Sequence, residues 1–370
     1  MKHLLLLAVA LSFSTSAFAT KARLKALGNS FHLTDTQGVY ASPYQVTALD
    51  NFISLESGKT TSTSLTDAAE GAILTTISPE SKVLVSIGHL DETVLTQRLF
   101  VNTVLTKTYK LQQNPLEVIY NYKEGSTVWA LGMYYSNFND KLTSEKESSS
   151  GLRLAANYGN FKWKTQLGLT NSAVDATGDS LDSNMYFNLG LRYTQNTLRY
   201  GLDFTTWNVS QTSAGAVNAS AGYQNILARI TQVNKIENGE FFTGISLDQT
   251  NIKDKITDKK FSRLIAPLLM GAEVNASDWL TLRGSISQTV LIAQSKDEVG
   301  FTAAAVTGAT GVVNGEFSAE ANNTIVAVGT GMNVGKVQID ATLKGLVSAT
   351  ASQNVNGTDL LSQVGVIYKY

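Results

Sequence analysis

Ten cations and five carboxylates fall on one side of a two-residue alternation that runs through most of this 370-residue chain. The cations are Arg153, Lys162, Lys164, Arg192, Arg199, Arg229, Arg263, Arg283, Lys344 and Lys369. The carboxylates are Glu117, Asp203, Asp248, Glu273 and Asp340. Net charge over the whole chain is −1, so the positive excess belongs to that side alone. The cations from Arg153 to Arg199 lie on four consecutive segments. A basic wall of this kind draws anions into a narrow aqueous passage, because low-dielectric walls concentrate the field of fixed charges. The competing reading is that inward charges only keep an interior face wet and pair across strands, as Arg199 and Asp203 are placed to do.

Other chemistry is sparse. There is no cysteine, which excludes disulfides, thiolate metal sites and thiol nucleophiles. Beyond the first nineteen residues only His32 and His89 remain, and no hydrolase, zinc or calcium motif surrounds them. Neither an enzyme, a cofactor nor a metal is expected. The near-neutral charge gives no case for a nucleic-acid partner. The stretch GTGMNVGK (329–336) has the wrong spacing for a phosphate loop and fits small residues around a strand turn. AAAVTGATGVVNG (303–315) reads as part of a large loop, with inward folding as the alternative.

The elements that must position the charges are strands. Segments of about ten residues alternate in character, and a tilted strand needs ~9–11 residues to cross a bilayer. In 197–207, Leu198, Tyr200, Leu202 and Phe204 oppose Arg199, Gly201, Asp203 and Thr205. In 161–170, Phe161, Trp163, Leu167 and Leu169 oppose Lys162, Lys164, Gln166 and Gly168. Short breaks (123–126, 159–160, 195–196, 237–239, 276–278, 335–336) alternate with long ones (139–149, 171–183, 209–218, 254–259, 295–320, 349–359). That asymmetry is expected of barrels with short turns on one side of a membrane and loops on the other. Counting back from the end through 114–122, 82–90, 70–78 and 46–57 gives about sixteen strands, an even number. Fourteen is the alternative if 46–78 forms an internal plug. Residues 93–113 fit strands least well and suit an external loop with a short helix.

The ends carry their own signals. LLLLAVAL (4–11) and AFA (17–19) form a secretory leader with cleavage after Ala19. The expected organisation is leader 1–19, a segment 20–45 periplasmic or inside the barrel, and a transmembrane barrel 46–370. The chain finishes LLSQVGVIYKY, placing Val364, Val366, Tyr368 and Tyr370 on one face.

A leader, a run of amphipathic strands and a last strand ending in an aromatic together resemble bacterial outer-membrane β-barrel proteins, porin-like in kind. The resemblance implies an all-β transmembrane antiparallel up-and-down barrel in the outer membrane of a Gram-negative bacterium. It also implies contact with outer-membrane lipids and an assembly machinery that reads Val364, Val366, Tyr368 and Tyr370. The usual last residue in that family is Phe or Trp; here it is Tyr370. Trimeric general porins narrow their pore with the loop between strands five and six. The corresponding break here (139–149), though one of this chain's longer ones, is short for that role, so any constriction comes from elsewhere. A second likeness, to FadL-like barrels, lies in Leu27-Gly28-Asn29, Asp35, Val39-Tyr40 and Pro43, with Ser42-Pro43-Tyr44 in place of an Asn-Pro-Ala turn.

The expected function is a porin-like channel for passive diffusion of small hydrophilic solutes, mildly anion-preferring. The alternatives are a FadL-like transporter of hydrophobic compounds, with Pro267 as the kink of a lateral opening, and a structural or surface-recognition barrel. A homo-oligomer is compatible with all three.

Overall fold

A computed structural model describes residues 20–58, 69–105, 109–183, 185–296, 312–313, 316–317, 324–347 and 363–370. The expected leader, most of the loop at 295–320 and the loop at 349–359 lie outside the described residues. The strands are β1 (Phe52–Gly58), β2 (Glu70–Ser78), β3 (Ser81–Ile87), β4 (Leu116–Glu124), β5 (Thr127–Asn139), β6 (Lys146–Tyr158) and β7 (Phe161–Val174). Strand β8 comes in two pieces, Ser180–Ser183 and Tyr186–Gln195, which lie end to end between the same two neighbours. Then follow β9 (Leu198–Ser213), β10 (Ala216–Ile236), β11 (Gly239–Asp254), β12 (Lys260–Asn275), β13 (Leu280–Lys296), β14 (Thr324–Val334), β15 (Val337–Val347) and β16 (Gln363–Lys369). Each pairs antiparallel with the next, and β1 pairs with β16 from Phe52–Lys369 to Gly58–Gln363. The result is a closed sixteen-strand up-and-down barrel with no free sheet edge, the condition for strands to cross hydrocarbon.

The two faces follow the alternation. Leu131, Met133, Ile226, Ile230, Ile245, Leu247, Met270 and Ile286 point outward and are each at least 43% exposed. A continuous apolar surface of this size does not persist in water; it is the surface a barrel presents to lipid. Near the short turns lie Tyr122, Trp129, Tyr158, Phe161, Tyr193, Tyr200 and Tyr368, with Trp129 edge-on to Tyr158 at 5.6 Å. This is an aromatic girdle, where flat amphipathic rings settle between lipid tail and headgroup.

Some boundaries depart from the sequence reading. The first strand starts at Phe52, not Val46, because Pro43–Ala48 forms a 3-10 helix inside the barrel. The break expected at 209–218 is a two-residue turn, with Ala214 at φ 50° and Gly215 at φ 80°. The break at 171–183 is largely strand. Both stretches are rich in Ser, Thr, Asn, Asp and Gly, and their buried apolar residues (Ala173, Leu181 and Val209) face inward, so the outward apolar row of the membrane strands is largely missing. Above the membrane a strand needs only its backbone partners.

Two inward segments occupy the lumen. The first runs from Thr20 through α1 (Lys21–Ala26), α2 (Gly38–Ala41) and the 3-10 helix. The second joins β3 to β4 and carries α3 (Glu92–Leu105). Val39, Tyr40, Val46 and Leu49 pack on the inward faces of Phe52, Leu74, Leu84 and Ile119, all of them buried. Val94, Phe100 and Val101 pack on Trp207, Val209, Ile252 and Phe261 of the opposite wall.

Candidate lumenal site

Both lumenal segments are fastened by charge as well as by apolar contact. Arg23 of α1 grips Glu273 of β12 with two bonds, Nε to Oε2 at 2.5 Å and Nη2 to Oε1 at 2.8 Å. Arg283 of β13 donates to the same carboxylate at 2.6 Å and to Asp340 of β15 at 2.5 Å. Thr20 Oγ1 donates to Asp340 at 3.2 Å. The result is an alternating row, Arg23–Glu273–Arg283–Asp340, along one wall. On the other side Lys21 pairs with Glu70 of β2, and its backbone N–H donates to Glu56 of β1 at 2.8 Å. His89 approaches Glu70 at 3.3 Å and stacks on Tyr40 at 3.6 Å.

The second segment is held at the start of its helix. Asp91 caps α3 by accepting from the backbone N–H groups of Thr93 and Val94 at 3.1 and 3.0 Å. Its other oxygen accepts from Arg153 Nη2 at 2.7 Å, and Arg153 Nε donates to Glu117 at 2.6 Å. Tyr186 donates to Asp91 at 2.8 Å and meets Tyr134 hydroxyl to hydroxyl at 2.6 Å. Farther along, Arg98 donates to Asn171 Oδ1 at 2.8 Å and to the Ser172 carbonyl at 2.7 Å.

Asp35 joins the first segment's turns. Its Oδ1 accepts from the backbone N–H groups of Gln37 and Gly38, while Oδ2 has no partner. Burial pushes its carboxyl up to about 7, against the pull of those two N–H groups and of Arg23.

Between these segments and the wall β7–β11 lies a cavity of about 370 Å³. Its basic end is built around Asp203 of β9. Arg192 Nη2 lies 2.7 and 2.9 Å from the two carboxylate oxygens, Arg229 donates to Oδ2, and Lys164 stands 3.8 Å away. Phe31, from the first segment, lies under both guanidiniums, with ring-to-carbon distances of 5.4 Å to Arg192 and 4.7 Å to Arg229. At the far end Trp207 stacks on Tyr223 at 4.6 Å. Two other hollows, about 720 and 440 Å³, lie along the outward apolar residues of β16–β4 and β7–β11.

Of the residues singled out in the sequence, Lys164, Arg192, Asp203, Arg229 and Asp248 meet around this cavity. Arg153 lines it and anchors α3, while Arg283 and Asp340 belong to the row that holds α1. Arg263 is buried on the inner wall, its Nε and Nη2 without a partner. Lys162 lies over the Tyr44 ring at 5.5 Å. Arg199 does not pair with Asp203; its guanidinium donates to the Asn196 carbonyl at the short turn. The side chain of Lys344 lies outside the described residues. Val366, Tyr368 and Tyr370 point outward and are exposed, while Ile367 is fully buried inward. At Pro267 the ladder to β11 skips Ser246–Pro267 and Leu247–Ala266, as the missing N–H demands, and resumes in the same register. On its other side Pro267 stays paired with Thr289. Sequence reasoning missed Arg23, Phe31, Asp91 and Trp207. The signal for an inward cover is one large apolar residue on the inner face of each of β2, β3 and β4: Leu74, Leu84 and Ile119.

No protein-family model matches the chain, and no curated protein matches it by sequence. Solved structures similar to it are outer-membrane barrels. One is a bacterial polysaccharide outer membrane secretin, 10% identical with TM-score 0.48, covering 87% of this chain and 98% of that one. The CymD monoaromatic hydrocarbon channel is 10% identical with TM-score 0.43, covering 94% and 97%. An anion-selective porin from Comamonas acidovorans is 10% identical with TM-score 0.40, covering 87% and 97%.

Proposed function

We propose that this protein is an outer-membrane channel that passes small hydrophilic solutes by diffusion, prefers anions, and is narrowed from within by residues 20–48, 88–105 and 109–115. The observation that supports this most is the cluster at Asp203. Three cations, Lys164, Arg192 and Arg229, surround one carboxylate beside the lumenal cavity. A local surplus of positive charge against a low-dielectric wall favours anions over cations at that point.

The lumenal segments set the width. A sixteen-strand barrel has an aqueous interior wide enough for free diffusion; with two segments docked inside, conductance falls well below that of an empty cylinder. The test is single-channel recording of the purified protein in a planar bilayer under a salt gradient. Small steps with an anion-leaning reversal potential support the reading, and a cation-leaning potential overturns it. Replacing Arg192 and Arg229 together by Gln moves the potential toward zero if the cluster is responsible.

A further inference from the structure

We infer that the lumenal cavity is a saturable binding site for small organic monocarboxylates that carry an aromatic or apolar body. This rests on the channel reading in that the cavity is taken as part of the solute's path, and it adds what the path recognises. The two ends of the cavity differ in chemistry. At one end Lys164, Arg192 and Arg229 share the single acceptor Asp203. Lys164, at 3.8 Å, is beyond hydrogen-bond reach of that carboxylate, and Arg229 Nε has no acceptor. Donors exceed acceptors, so a second carboxylate has groups to meet. Guanidiniums suit a planar, two-oxygen head better than a spherical ion.

The other end is flat and apolar. Trp207 and Tyr223 form a stacked pair lining the same cavity, and the buried Trp207 Nε1 has no partner. Trp207 lies four residues along β9 from Asp203, a separation of roughly 13 Å at the usual strand rise. Phe31 and Leu227 lie on the cavity wall as well. The volume, about 370 Å³, lies within the ordinary range for small-molecule sites. Trp207 also takes Phe100 of α3 edge-on, ring centroids 5.5 Å apart, so the stacked pair backs the docked helix on one side and lines the cavity on the other. A purely hydrophobic path gains nothing from three cations.

The test is isothermal titration of the folded full-length barrel in detergent with benzoate, its neutral counterpart benzamide, and inorganic phosphate. Benzoate binds saturably, and benzamide binds at least about tenfold more weakly, the scale of a charge-assisted hydrogen bond. Phosphate competes poorly because it cannot use the aromatic floor. Arg229→Gln weakens benzoate about tenfold; 4-phenylbutanoate, long enough to carry its ring from the cations toward the Trp207–Tyr223 pair, binds more tightly than benzoate, and Trp207→Leu removes that gain while leaving phosphate unchanged. Each variant is first checked for intact sheet by circular dichroism, and Lys164→Gln serves as a second head-group variant if Arg229→Gln does not fold. Equal binding of benzoate and phosphate, equal binding of benzoate and benzamide, or no benzoate binding overturns the inference. An anion-leaning reversal potential with no benzoate binding leaves the channel reading standing without it. Saturable benzoate binding in a barrel with a cation-leaning potential leaves the site standing and removes the channel reading.

Discussion

Asp203 of β9 takes Arg192 of β8 across its two carboxylate oxygens, at 2.7 and 2.9 Å, and is the one acidic partner that Arg192, Arg229 and Lys164 share. The carboxylate therefore does two things at once. It lowers the local positive charge and holds two guanidiniums over Phe31. Asp203→Asn leaves three neighbouring cations without their counter-charge inside the wall. Removing one partner of a buried ion pair costs about 3 kcal/mol or more. The expected outcome is a lower unfolding temperature by circular dichroism in detergent, together with a reversal potential shifted further toward anions. A variant that unfolds at the native temperature contradicts the hub role.

The first lumenal segment is expected to respond to pH through Asp35. Its carboxyl titrates near 7 in the folded protein, raised by burial, against the usual 3.8. The folded form thus keeps a proton that the released segment loses. Its own contribution to docking is full below about 4 and is lost progressively as pH rises through about 7, by up to about 4 kcal/mol. Amide exchange of residues 37–48 becomes faster between pH 5 and 8, after correction for intrinsic rates. Asp35→Asn keeps an oxygen to accept from Gln37 and Gly38 and flattens this dependence. Unchanged pH dependence in Asp35→Asn removes the residue from the effect.

Arg23 makes a separate prediction. Its guanidinium is the one charged link that the lumenal segment makes to Glu273 and Arg283 of the wall row, beside the weaker bond from Thr20 to Asp340. Arg23→Ala leaves Glu273 with Arg283 but frees α1 from β12. The expected readout is larger and noisier single-channel current, with the barrel's own unfolding temperature little altered, because the strand pairing does not involve α1. A quiet current of native size shows that the apolar contacts of Val39, Val46 and Leu49 suffice to hold the segment.

The barrel itself was legible because its cause is local. Leu198, Tyr200 and Leu202 alternate with Arg199, Gly201 and Asp203, and only a strand separates those two sets. Even the strand number follows, since each turn signal is printed in a few residues, such as Gly159-Asn160. The site was half legible. Alternation places Arg192, Asp203 and Arg229 on the inner face, but which cation meets which carboxylate depends on strand register. Register puts Arg192 opposite Gly201 and Arg229 opposite Gly201 from the other side, so both converge on Asp203, while Arg199 lies near the turn. Phe31 and Asp91 were illegible for a different reason. Phe31 reaches the cavity, and Asp91 reaches Arg153 beside it, from connections whose path is set by packing against distant strands, and no period in the sequence records that path.

The glycine opposite Tyr186 tests how closely the second segment is fitted. A Cβ at Gly168 would fall inside the ring of Tyr186, whose hydroxyl holds Asp91 at the start of α3. Gly168→Ala therefore pushes the ring off its position and breaks the bond to Asp91. Overpacking of this kind costs about 1–3 kcal/mol. The measurable results are a lower unfolding temperature and faster amide exchange in residues 92–101, with residues 20–48 unaffected. If both segments loosen together, they are docked as one unit.

The chain end closes the seam where β16 meets β1. Tyr370 donates from its hydroxyl to the Leu74 carbonyl of β2 at 3.0 Å, and its backbone N–H reaches the Asn51 carbonyl at 3.4 Å. The last residue thus ties the final strand past its partner β1 to the strand beyond, across a seam of only seven residue pairs. Two contributions can be separated by substitution. Tyr370→Phe keeps the interfacial ring and removes the hydroxyl bond, worth about 1 kcal/mol, so insertion into membranes persists and unfolding temperature falls slightly. Tyr370→Ala removes the ring too, and the yield of folded barrel from the cell envelope drops more than the stability of the fraction that does fold. If the two variants lose yield equally, the hydrogen bond at the seam, rather than the interfacial ring of Tyr370, governs the yield of folded barrel.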